Sequence, residues 1–263
     1  MRWIIDRIKE LMTHPGSAGG GFGTISMPNS GPKLRGPALA YQITDEDALW
    51  ACRMIIGEGH EDTLEVLECM MNRFGFLQGT AGERPTFAKL LQDYSQPINP
   101  RWRRNGQFCA PGSRHHQTNA CAPHRLERRD FLGTASIEDL RSMGTSTDQN
   151  GNVRQSAQGK AQAKAVNLAL RWCRGHVRSN KVIGAVHFAH PNVVKGKETP
   201  ENMIVHKGRN WFHADLRGNR TANWTRDTIK VVPSTATTSS FTRALAAPVA
   251  ALAGIGVAWR LVK

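Results

Sequence analysis

The stretch Thr44–Phe74, TDEDALWACRMIIGEGHEDTLEVLECMMNRF, decides how this chain folds. Thr44-Asp-Glu-Asp47 has the form of a capping box, a hydroxyl followed three residues later by a carboxylate. An apolar helix follows, carrying Leu49, Trp50, Cys52, Arg53, Met54, Ile55 and Ile56, and the glycines at 57 and 59 bracket Glu58 and end it. A second helix is predicted from about Glu61 to Arg73, with Leu64, Val66, Leu67, Cys69, Met70 and Met71 apolar.

Outward from this pair, TFAKLLQD (86–93) predicts a third helix, and residues 95–130 read as irregular and arginine-rich. Ser136-Ile-Glu-Asp139 caps a short helix, and 155–173 is a long one rich in Ala and Leu. KVIGAVHF (181–188) and 203–206 are β-like. The expected fold is therefore mainly α (α+β): a helical domain with a small β element over residues 44–233. Residues 1–14 show an amphipathic pattern in Trp3, Ile4, Ile5, Ile8, Leu11 and Met12. Residues 15–43 are rich in Gly and Pro and read as a linker. Residues 234–263 read as a polar linker and an apolar helix, the span 244–259 being free of charge between Arg243 and Arg260. Those 16 residues fall short of the ~20 of a spanning helix and contain Pro248. A membrane-active or partner-docking helix is expected there, with packing on the body and spanning as the alternatives. The N-terminus lacks the apolar run of a secretory signal.

With 40% hydrophobic and 21% charged residues in 263, the bulk of the chain is expected to be globular. The net charge of +14 predicts anionic company: nucleic acid, a membrane surface, or a charged polymer such as cell wall. That charge is uneven, net +3 over 1–43, −6 over 44–100 and +17 over 101–263. An acidic segment inside a basic protein asks what its carboxylates are for, solvated helix faces being the plain answer. Glu58 offers another. A carboxyl at a helix C-terminus beside apolar neighbours meets desolvation and the negative end of the dipole, and both favour its protonated form. A general acid for glycosidic bonds needs that near neutral pH. An ordinary exposed helix-end glutamate would have the same spacing.

The run Trp50-Ala-Cys-Arg-Met-Ile-Ile-Gly-Glu-Gly59, with the closing Asn72-Arg73, resembles the SleB-like (spore-cortex-lytic) family of cell-wall hydrolases. Tyr94-Ser-Gln-Pro-Ile-Asn-Pro-Arg-Trp102 resembles its aromatic-Ser cleft segment, Gly184-Ala-Val-His-Phe188 its histidine strand, and Lys207-Gly-Arg-Asn-Trp-Phe212 its closing segment. The four pieces stand in family order across roughly residues 44–215. The resemblance implies a lysozyme-like fold that cleaves peptidoglycan glycan strands, with the catalytic glutamate at Glu58. The family's second acidic residue falls near Glu61, one position displaced. Tyr94, Ser95, Gln96 and Asn99 would bind the sugars, with His187 joining them from the strand; a buried histidine bonded to backbone is the alternative for His187.

Cleavage by hydrolysis needs two carboxylates flanking the bond. Residues 95–126 contain no Asp or Glu. A single-acid route is therefore expected, in which Glu58 protonates the glycosidic oxygen and then takes a proton from the sugar's own hydroxyl. This is the lytic transglycosylase reaction. No cofactor is expected. Of the five cysteines, Cys52, Cys69 and Cys173 sit among apolar helical residues and read as core fillers. Cys109 and Cys121 lie among seven arginines and three histidines, open to a disulfide, a zinc site without the usual paired spacing, or free thiols. The segment around them resembles an insertion in phage members of the family. Together these readings predict a phage enzyme carried by the virion that acts on host peptidoglycan during genome delivery. Host membrane through 244–259 and other virion proteins are the expected partners, and nucleic acid is a less favoured one. The rival expectations are an endolysin-type muramidase and an inactive lysozyme-like ejection protein.

Overall fold

A computed structural model describes residues 21–27, 39–190, 203–207, 210–213 and 229–234. The helices expected over 1–14 and 244–259 lie outside the described residues. So do most of the terminal polar linker and positions 208 and 209 of the closing segment. The architecture is α+β, with no described helix long and apolar enough to cross a membrane.

Helix α1 (Asp45–Glu58) forms the middle of the core, buried at every position from Asp47 to Ile56 except Leu49. A helix apolar on all sides must be surrounded, and α1 is packed by α2 (Thr63–Leu77), α3 (Phe87–Tyr94), α4 (Pro123–Thr134), α5 (Ile137–Ser142) and α6 (Ala157–Cys173). Its start is the predicted capping box: Asp47 receives the Thr44 backbone N–H at 2.9 Å, and its own N–H donates to the Thr44 hydroxyl. The same carboxylate receives the Tyr41 hydroxyl at 2.9 Å and the Ala88 N–H at 2.7 Å. The Thr44 cap therefore also ties the starts of α1 and α3 together.

Residues 15–43 are not simply a linker. Strand β1 (Thr24–Met27) pairs antiparallel with β2 (Leu39–Gln42) on one side and with β8 (Lys230–Val232) on the other. Ile25 and Met27 are buried and Thr24 and Ser26 half-buried, the alternation of a strand with one face on the core. Two apolar residues among glycines and prolines make too short an alternation to stand out locally. The compact body consequently begins at Phe22 rather than 44 and runs to Ser234.

Two further sheets complete the described fold. Strands β3 (Thr145–Thr147) and β4 (Val153–Gln155) form a hairpin, and β7 (Asn210–His213) lies between β5 (His187–Ala189) and β6 (Met203–Lys207). The β-like run 181–188 is a strand only from His187, because Lys181–Gly184 turns instead. The region read as irregular contains α4, whose start is signalled by Pro123 at its first turn. Cys109 and Cys121 form a disulfide with Cα atoms 5.5 Å apart, which removes both thiols from any zinc site.

Candidate functional site

Glu58 is the last residue of α1, and the two glycines beside it have separate physical reasons. Gly59 has φ of 99°, in the left-handed region where a side chain is strained, and this turn ends the helix. At Gly57 a Cβ would lie 2.5 Å from the Pro97 Cβ, so only glycine lets the 95–99 turn lie against the end of α1. That contact places Ser95 on Glu58. The fully buried Ser95 donates its hydroxyl to Glu58 Oε1 at 2.6 Å. Among the described residues it is the hydrogen-bond partner of that carboxyl.

Burial pushes the Glu58 carboxyl above the ordinary carboxylate range, and the Ser95 hydrogen bond opposes the shift by favouring the charged form. The residue as a whole is half-buried, while protein encloses nearly all of its carboxyl. A carboxylic acid so placed holds its proton above the ordinary carboxylate range, as a general acid requires. The carbonyl of Ile56, in the last turn of α1, accepts from Arg128 Nη2 at 2.6 Å. That guanidinium caps the negative end of the helix two residues before Glu58.

Residues expected in the site divide into those brought together and those placed elsewhere. The half-buried Tyr94 carries the Arg73 guanidinium 3.7 Å above its ring. Arg73 also donates to His187 Nδ1 at 3.1 Å and to the Val186 carbonyl at 3.4 Å. Contacts therefore link Glu58 to Ser95 and Tyr94 to Arg73 and His187, with the neighbours Tyr94 and Ser95 joining the two. Asn72 donates to the carbonyls of Ala185 (3.1 Å) and Val182 (3.4 Å), so the Asn-Arg pair, which lies within α2 since the helix runs on to Leu77 rather than ending at Arg73, fixes the approach to β5. The sequence singled out Asn72 and Arg73 as a motif; their bonding to the 182–187 segment emerges only from the fold.

Gln96 is exposed. The Asn99 side chain works within its own loop, donating to the Asp93 carbonyl at 3.0 Å and accepting from the Arg101 N–H at 2.9 Å. Glu61 sits exposed in the 3-10 turn His60–Asp62. The two carboxylates of α2 face inward: Glu68 accepts from Trp172 Nε1 at 3.0 Å and from the Ser179 N–H, and Glu65 accepts from the Ser179 hydroxyl at 3.1 Å. Asp93 pairs with Arg84 and Lys89. Among the described residues no group of three or more His, Cys, Asp or Glu is placed to hold a metal ion. Compared with known proteins, the chain matches no family profile, no curated protein and no solved structure.

Proposed function

We propose that the body is a lysozyme-like, peptidoglycan-cleaving domain, a lytic transglycosylase with Glu58 as its single acid and base. The observation that carries this reading is the Glu58 carboxyl itself, raised by burial and held by Ser95 at the end of a half-buried helix turn. In the reaction, protonated Glu58 gives its proton to the oxygen linking C1 of N-acetylmuramic acid to O4 of N-acetylglucosamine. That C–O bond breaks and the glucosamine part leaves with its hydroxyl restored. The Glu58 carboxylate then takes the proton from the muramyl C6 hydroxyl as its oxygen bonds to C1. The product is a 1,6-anhydro sugar, no water is consumed, and Glu58 is protonated again.

Ser95 has a role other than the one expected of it. Its hydroxyl points at Glu58, so it orients the acid and moderates its pKa rather than binding sugar. Tyr94 and His187, both held by Arg73, and the exposed Gln96 are the polar groups proposed to meet the sugars. The single-acid route is favoured over hydrolysis because Glu65, Glu68 and Asp93 are engaged in internal bonds, Glu61 is exposed, and Asp62 of the same turn is buried in the body. The Cys109–Cys121 disulfide fits a protein that works outside a reducing cytosol, in keeping with a virion-borne enzyme that meets the host wall. Mass spectrometry of muropeptides released from purified peptidoglycan tests the reading. Anhydro-muramyl ends are expected. Reducing ends would replace the proposal with a muramidase, and no release would leave an inactive lysozyme-like protein.

A further inference from the structure

Arginine in this chain is unevenly placed: residues 95–134 hold seven arginines and no lysine. Most of these side chains reach solvent, but Arg103 turns inward towards Arg53 of the core helix α1. Arg53 is only 7% exposed; it stacks on Trp50 at 4.5 Å and donates Nε to the Ala135 carbonyl at 2.9 Å. Ala135 is the C-cap of α4. The Arg103 guanidinium lies against Gly133 in the last turn of the same helix, where any Cβ would collide with it. Its Nε is buried without a hydrogen-bond partner among the described residues. Two guanidinium groups therefore converge on one helix end, near enough for the charge of Arg103 to add to burial in lowering the Arg53 pKa.

The carboxylates that could neutralise them are engaged elsewhere. Asp130 pairs with Arg104, Glu138 with Arg141, and Asp139 closes the capping box of Ser136. No ion pair among the described residues involves Arg53 or Arg103. The helix-end carbonyls supply a partial negative charge, about half an elementary charge, against two full positive ones. Buried cations are ordinarily paired, because leaving one unpaired is costly. A fork of N–H groups with no counter-charge is what a planar or tetrahedral oxyanion requires.

We propose that Arg53 and Arg103, at the C-terminal end of α4, form a binding site for an oxyanion, the carboxylate or phosphate of an incoming molecule. The exposed Arg101, Arg114 and Arg125 of the same segment raise the local potential and draw anionic polymers towards it. The shared chemistry is a compact anion taken by two guanidinium forks, and its source is either the peptide carboxylates of cell wall or a phosphate polymer. The site stands independently of the role of Glu58.

The test uses the full chain with its disulfide intact. Thermal unfolding is followed with inorganic phosphate and with muramyl dipeptide, each against sodium chloride at matched ionic strength. Nitrogen-15-arginine spectra are recorded alongside. Wild type is expected to gain about 3 °C at a probe concentration about tenfold above Kd. Two Nε–H signals should move saturably, one of them absent in Arg103→Lys. Arg103→Gln should lose at least tenfold in affinity, while Glu58→Gln should bind as wild type does. Response to phosphate alone assigns a phosphate source, and response to the dipeptide assigns the wall carboxylates. No response beyond chloride, or equal responses in wild type and Arg103→Gln, would overturn the proposal. The arginine spectra decide the matter even where a variant folds poorly.

Discussion

A carboxyl group keeps its proton above the ordinary carboxylate range only if its surroundings make ionisation costly, and at Glu58 burial does this. Because its folded-state pKa lies above the unfolded value, the folded chain retains a proton that the unfolded chain has released. The stability linked to Glu58 is therefore fully present at low pH, and it declines as pH rises from the ordinary carboxylate range through the raised value. Glu58→Gln removes this decline while keeping an acceptor for Ser95. The variant should lose all release of muropeptides, yet melt at or above the wild-type temperature at pH 7, as read by calorimetry. Ser95→Ala removes the one bond that favours the charged form. The fall of kcat/KM on the alkaline side should then move to higher pH, which a purely structural role for Ser95 would not produce. The candidate acid was legible as a position from Gly-Glu-Gly at a helix end, but the inward turn of Ser95 was not. It depends on Pro97 lying against Gly57, a contact between positions 40 residues apart.

Among the elements, α1 was legible almost to the residue, because its cap, its apolar run and its terminating glycines are all local signals. Asp47 does more than the cap requires, holding Tyr41, Thr44 and the first turn of α3. Asp47→Ala should lower the unfolding free energy by about 3 kcal/mol in urea titration, more than loss of an exposed cap, since a buried N–H at Ala88 is left without a partner. Helix α4 was missed because six of its twelve residues are charged or histidine, with only Leu126, Phe131 and Leu132 to mark an apolar face. It forms through contacts: Leu132 reaches the core, and the buried Arg129 donates to the carbonyls of Trp102 and Ala120. The 181–188 run misled in the other direction, since its alternation persists through a turn that Asn72 holds.

The described body combines three buried free thiols with one disulfide, itself buried, in the arginine-rich segment. Cys52, Cys69 and Cys173 are buried free thiols, and burial pushes Cys52 up to about 12. Native protein should therefore show no fast-reacting thiol with a thiol reagent, and two after mild reduction opens Cys109–Cys121. Three or more would mean that reduction unfolds the body. Loss of this bridge in Cys109→Ser/Cys121→Ser is expected to cost about 3 kcal/mol in the chain-entropy picture for a loop of this length. Strand β1 joins residues 24–26 to 230–232. Ile25→Ala should cost about 3 kcal/mol, measured by denaturant unfolding, because its side chain is wholly inside.

Helix starts, helix ends and the candidate acid were readable in the chain because each rests on residues within a turn or two of one another, where capping, glycine conformation and apolar spacing act. The sheet of β2, β1 and β8, the Ser95 contact and the convergence of Arg53 with Arg103 were decided only by tertiary structure. Each joins residues distant in sequence, and burial and the pairing of buried charge depend on what the rest of the fold brings near.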